Sequence, residues 1–291
     1  MMETITRLYH KSRPIGMHQK SRLLSLTILS FTLVMLSSCE NISEEERYVD
    51  DVDRFMVANT RRVLIQEFTG QFCVNCPQGH TMLSNIQKLY GDNVITVGIH
   101  AGALAWDDAV NGGLKTADGD TYAASWDVRS YPSIIVNHHG APIENTALWQ
   151  SAVGDEMGKM AEADIRLDIR KEGMNYTVAT TLSASTDMDA KYQLWITEDS
   201  IISIQQKKSD GASGDDGYDL NYCHNHVYRA SINGIGGEDV QLRGAAPLTM
   251  QHTFGVATTW NIDHLFVVGF VYDANGLVQA IEKPIVFINE N

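Results

Sequence analysis

Between Arg62 and Tyr90 the chain runs through an apolar, β-branched stretch and breaks at Thr69-Gly70. It then sets Cys73 and Cys76 two residues apart and continues with apolar residues at Met82, Leu83, Ile86 and Leu89. The first part suits a strand over Arg62 to Thr69, and the second suits one face of a helix over Pro77 to Tyr90. A cysteine pair at such a turn demands a fold in which a buried strand feeds directly into a helix. Three readings of the pair follow: a redox couple, a metal site, or a staple that does no chemistry. A redox cysteine reacts as the thiolate, and the free N–H groups at a helix start favour that anion. Cys73-x2-Cys76-x3-His80 also offers three metal donors, but His80 reads as a helix-surface residue near the pair, and no metal is assigned.

The region from Met56 to Glu162 alternates strands and helices. Val94 to Ile99 is a second strand, dense enough in β-branched residues to be buried on both sides, and Ser133 to Asn137 a third. Helices are expected near Thr121 to Trp126 and from Asn145 to Glu162, with a turn at His138-His139-Gly140 and a long polar segment over Ala101 to Asp120. Near Ala163 the period changes to two: Ile165, Leu167 and Ile169, then Tyr176, Val178, Thr180 and Leu182, then Tyr192, Leu194 and Ile196 alternate with polar neighbours. Further strands are expected over Val227 to Ile232, Thr249 to Ala257, His264 to Tyr272 and Leu277 to Phe287. The expected organisation is an α/β domain over 56–162 and an all-β, Ig-like sandwich domain over 163–291.

The first 38 of 291 residues read as an export signal: a basic front, an uncharged run over Leu23 to Leu36, and Ser37-Ser38-Cys39 at its end. Leu36-Ser37-Ser38-Cys39 resembles a bacterial lipobox, which implies that Cys39 is acylated and anchors the protein to a membrane. Residues 39–55 are too acidic to pack and read as a tether. Ser43-Glu44-Glu45-Glu46 resembles the signal that sends some lipoproteins of Gram-negative bacteria to the outer face of the outer membrane. The leader holds five of the 22 Lys and Arg and one of the 36 Asp and Glu, so 17 basic residues remain against 35 acidic ones. That balance repels phosphate backbones and excludes nucleic acid as a partner. With Cys39 lipidated, Cys73, Cys76 and Cys223 remain, too few for a disulfide framework.

The segment "VLIQEFTGQFCVNC" is similar to the active-site strand and turn of thioredoxin-fold proteins, with Glu67 six positions before the first cysteine and Phe68 and Phe72 as the aromatics. Tyr131-Pro132-Ser-Ile-Ile-Val resembles the cis-proline loop of that family, and Ala101 to Asp120 then reads as an insertion. With "YPSIIVN", "CHNHVYRASING" and the lipobox, the chain resembles a family of outer-membrane-associated bacterial lipoproteins that couple a thioredoxin-like domain to a C-terminal β-domain.

The resemblance implies thiol–disulfide exchange on protein substrates, with a redox partner that the sequence does not identify and no cofactor. Cys73 would be the nucleophile, Cys76 the resolving thiol, Glu67 the buried base and Pro132 the substrate-side wall, with Tyr131 and Phe72 contacting substrate. The alternative is a non-enzymatic envelope protein that binds a partner through its β-domain. Cys223, His224 and His226 read as a packed thiol with structural histidines, and Asp210, Asp215, Asp216 and Asp219 as a solvated loop.

Overall fold

The computed structural model describes residues 60–172, 175–211, 216–244 and 246–285. Cys39, the tether and Ser43 to Glu46 lie outside the described residues. The cysteine turn joins strand β1 (Val63–Thr69) to helix α1 (Cys76–Tyr90). Next come β2 (Val94–His100), helix α2 (Ala117–Ser125), β3 (Ser133–Val136), β4 (His139–Ile143) and the short helix α3 (Trp149–Gly154). Strand β1 pairs parallel with β2 on one side and antiparallel with β3 on the other. Alternation then sorts the side chains. Val63 and Ile65 face α1 and α3 with Leu83, Ile86, Trp149 and Val153, whereas Leu64 and Phe68 face the opposite side, where Tyr122 and Ala123 of α2 pack. Pro132 lies in the expected loop, its peptide bond with Tyr131 is cis, and it packs on α1 at Gly79, where an added Cβ would stand 3.0 Å from both the proline ring and Trp149.

The helix expected over Asn145 to Glu162 is confined to Trp149–Gly154. Gly158 has φ of +77°, outside the right-handed helical region, so the turns after α3 cannot continue it.

The described residues of the second half form strands and one 3-10 turn over Ile262–His264; the strands are β5 (Ala163–Glu172), β6 (Asn175–Ala184), β7 (Met188–Glu198), β8 (Ile201–Gln206), β9 (Tyr218–His224), β10 (Val227–Ser231), β11 (Glu238–Leu242), β12 (Leu248–Phe254), β13 (Leu265–Asp273) and β14 (Gly276–Pro284). These strands do not form a separate sandwich. Strand β10 docks on the free edge of β2, Gly98 N donating to His226 O at 2.8 Å, and its other edge pairs with β7. One mixed sheet results, in the order β14-β13-β7-β10-β2-β1-β3-β4 with β11 also on β7. The expectation of an α/β thioredoxin-like domain followed by an Ig-like sandwich is therefore incorrect. The molecule is mostly β, with few helices, and its main sheet crosses the expected boundary.

The physical reason is burial. Trp195, Tyr228, Val268 and Phe270 from the second half share a core with Leu64, Phe68, Ile95 and Val97 from the first. A second, three-stranded sheet, β12-β6-β5, contributes Ile165, Leu167, Val178 and Leu182 to another core, against Tyr192, Leu194, Val240 and Val267. The remaining pair, β8 and β9, is a hairpin of its own. It lies over the cysteine turn.

Candidate functional site

Cys73 and Cys76 are joined in a disulfide with Cα atoms 5.4 Å apart. The turn holding them is tight: Cys73 N donates to Gly70 O at 3.1 Å and Cys76 N to Cys73 O at 3.2 Å. Cys76 opens α1 and Pro77 occupies the first turn, where a missing N–H costs little.

Two segments close over this turn. On one side the loop after β2 comes in, Phe72 N donating to Leu104 O at 2.8 Å and the Phe72 ring lying 6.3 Å from Trp106. A Cβ at Gly70 would stand 2.5 Å from Leu104 O, so glycine is required for the approach. On the other side the β8–β9 hairpin is bonded to the turn. Gln206 N donates to Gln71 O at 2.7 Å, and Gln205 Nε2 donates to Cys73 O at 3.0 Å and Gly70 O at 3.3 Å. Gln71 ties both covers together, donating through Nε2 to Ser203 Oγ at 2.8 Å and to Gly112 O at 3.0 Å and accepting from Leu114 N at 2.9 Å. Cys73 is 3% exposed and Cys76 is fully buried.

Glu67 lies in β1 on the α1 side of the sheet and is 3% exposed. Burial pushes its carboxyl well above the usual carboxylate range. The Nε2 of His80 stands 3.5 Å from Glu67 Oε1, and burial and then the neighbouring His224 pull His80 down to about 3. His80 is not the surface residue expected from its helix position: Nε2 is 2.9 Å from Thr69 Oγ1 and Nδ1 is 2.7 Å from Tyr222 Oη.

Strand β9 brings His224 beside it, its ring 5.3 Å from His100 and 6.3 Å from His80. Burial lowers both, His224 to about 4 and His100 well below the usual imidazole range. His226 turns away to Asp199, which holds its pKa up although burial alone would lower it. Cys223 faces solvent as a free thiol. Among the described residues no group of three or more His, Cys, Asp or Glu side chains is arranged to hold a metal ion.

The sequence does not reveal that His100, Tyr222 and His224 gather with His80 and Glu67. Thr96-Val-Gly-Ile-His100 carried a signal, because it alternates polar and apolar residues inside an otherwise β-branched strand.

The sequence pattern of outer membrane protein Omp28 matches residues 119–290, more than half of the chain. The chain belongs to the Omp28 family. That membership places it at the outer membrane. The matched span contains Tyr131, Pro132, Tyr222 and His224, whereas Cys73, Cys76 and Glu67 precede it.

Among solved structures the chain is similar to HBP35 of Porphyromonas gingivalis, with a TM-score of 0.60 and 14% identity over 78% of this chain and 76% of that one. It is also similar to protein AGR_C_4864 from Agrobacterium tumefaciens, with a TM-score of 0.47 and 13% identity over 80% of this chain and 98% of that one. A domain of the outer membrane lipoprotein Omp28 from Porphyromonas gingivalis matches with a TM-score of 0.30 and 16% identity over 43% of this chain and 88% of that one. At such identities the likeness to HBP35 concerns fold alone. No curated protein matches the chain.

Proposed function

We propose that this Omp28-family protein acts in the cell envelope by binding, anchored through lipid on Cys39, and that the Cys73–Cys76 bridge is a staple that holds its cover in place. The observation that carries this reading is the sealing of the bridge. Disulfide exchange requires a thiolate to approach a sulfur along the S–S axis, and an enzyme must also admit its protein substrate. Here one sulfur-bearing residue is 3% exposed and the other fully buried, and Gln205 of the hairpin is bonded to the carbonyl of the first.

A second reading, thiol–disulfide exchange on protein substrates, is favoured by a different observation: the pair sits at the start of α1 with the carboxyl of Glu67 buried in the adjoining strand. In that reading Cys73 attacks, Cys76 resolves, Glu67 takes the proton of Cys76, and Tyr131, Pro132 and Phe72 line the substrate. A turnover assay with a peptide disulfide and glutathione separates the two. The binding reading predicts no rate above the glutathione background and none lost in Cys73→Ser/Cys76→Ser. A rate above background that the double variant abolishes contradicts it.

A further inference from the structure

The β8–β9 hairpin is a two-stranded sheet whose strands pair only with each other, so it can move as a unit without breaking a ladder of the main sheet. It is set off by a turn at each root: Ser200, after β7, has φ of +59° and His226, before β10, has φ of +56°. Hinges form at such residues between elements. The hold on the cysteine turn is a short set of polar bonds, from Gln205 and Gln206 and between Gln71 and Ser203.

Underneath, the hairpin rests on imidazoles. His224 of β9 is 3% exposed, its ring lies 5.3 Å from His100 of β2 and 6.3 Å from His80 of α1, and Tyr222 Oη is 2.7 Å from His80 Nδ1. Three groups that become cations in acid thus meet between one movable element and two fixed ones. They line a cavity of about 330 Å³ whose walls extend to the exposed Thr81 and Lys88, which gives protons a way in.

We propose that the hairpin is an acid-released cover: protonation of His80, His100 and His224 lifts it and uncovers the Cys73–Cys76 bridge while both larger sheets stay folded. Cations this close repel strongly in a buried site, and each ring regains its hydration when the cover opens. The groups around the cluster do not neutralise it. Burial holds the Glu67 carboxyl of β1 above the ordinary carboxylate range, so it supplies no full countercharge in mild acid. Arg229 of β10, paired with Glu198, and Lys88 of α1 add positive charge, His226 is taken by Asp199, and burial pushes Tyr222 up to about 12. Asp219 of β9 is the opposing charge at His224. Uncovering Glu67 would also work in the opposite sense, as one carboxyl against three imidazoles. Under the cover His80 and His224 are held at about 3 and about 4, against about 6.5 in water, so acid favours the open state. Between about pH 7 and pH 4.5, each imidazole freed to its ordinary value shifts opening by up to about a hundredfold.

This inference rests on the sealed bridge of the binding reading, and the experiment keeps the two apart. Full-length protein is treated with tris-carboxyethyl phosphine. Phosphorus attacks one sulfur, the S–S bond breaks, and water supplies the oxygen of the phosphine oxide and the protons of the two thiols. Site-resolved alkylation and mass spectrometry give the rate, which is divided by that of urea-denatured protein at the same pH, so the reductant's own pH dependence cancels. From about pH 7 to pH 4.5 the native bridge is expected to lose about tenfold or more of its protection, with unchanged far-UV circular dichroism, and to regain it on neutralisation. In His224→Gln and in His80→Gln the loss is expected to be smaller by about threefold or more. A bridge protected at neutral pH whose protection ignores acid overturns the acid-released cover alone, and a bridge unprotected at neutral pH overturns the binding reading with it. Loss of the circular dichroism over the same interval, or an undiminished loss of protection in both variants, also overturns the cover.

Discussion

At the scale of single residues, the cluster under the hairpin sets how the protein responds to acid. The imidazoles of His80 and His224 are held neutral by burial, down at about 3 and about 4, whereas an unfolded chain protonates its histidines near 6.5. The folded state therefore binds fewer protons than the unfolded one across that interval, and stability is lost as pH falls from about 6.5 towards 4. Glu67 has the opposite sign. Its folded pKa is raised, so its contribution is fully present at low pH and is lost as pH rises from the ordinary carboxylate value through the raised one. With His100 joining the other two, the histidines outweigh the single carboxyl, and this cluster makes the protein less stable as pH drops from 6.5 to 4.

His224→Gln should flatten the fall of the melting temperature over that range relative to the parent protein. Melting curves that fall equally steeply in both would show that His224 is not a source of the linkage. The sequence made part of this cluster legible, because Glu67 and the cysteines lie within one strand and turn. His100 and His224 come from segments distant in the chain, and nothing local to "TVGIH" or "NYCHNH" says that their rings meet.

At the scale of elements, the β8–β9 hairpin decides whether the disulfide is reachable. Its strands were not anticipated, since Gln205-Gln206 and the polar run after them look like loop, and the apolar alternation that marks β5 to β7 is weak there. What holds the hairpin is polar instead. Gln205 is fully buried and bridges from the hairpin to the carbonyls of Gly70 and Cys73. Gln205→Ala leaves both acceptors short of that donor and should cost about 1–3 kcal/mol. It should also speed reduction of the bridge by dithiothreitol in folded protein, since opening of the cover becomes easier. Denaturant melts together with timed alkylation would check the two effects. A variant as stable and as slowly reduced as the parent would mean that another contact closes the site.

At the scale of the whole molecule, the mixed sheet makes the two halves of the chain interdependent. The strands were largely legible from alternation and the change of period at Ala163 was real, but the pairing of β10 with β2 was not. That contact joins segments far apart in sequence, and neither strand's own pattern names its neighbour. Trp195 shows the consequence. It is fully buried, its Nε1 donates to Tyr122 Oη at 2.9 Å, and its ring lies 4.8 Å from Phe270 and 5.4 Å from Tyr228. Trp195→Ala should cost about 3–5 kcal/mol. A fragment ending at Glu162 should lack a cooperative thermal transition, because β2 loses its edge partner and the shared core loses half its walls; a sharp transition in that fragment would contradict the continuous-sheet description.

The Cys73–Cys76 bridge is sealed in the folded protein, Cys73 being 3% exposed and Cys76 fully buried. Reduction of the bridge by excess glutathione, followed by alkylation and mass spectrometry in native and denatured protein, tests it most directly. A cover worth about 3 kcal/mol slows attack by about a hundredfold, since each 1.4 kcal/mol of opening free energy is a factor of ten. The account predicts that the native bridge reacts slower than the denatured one by about that factor or more. A native bridge that reacts as fast as the denatured one, or faster, would contradict it.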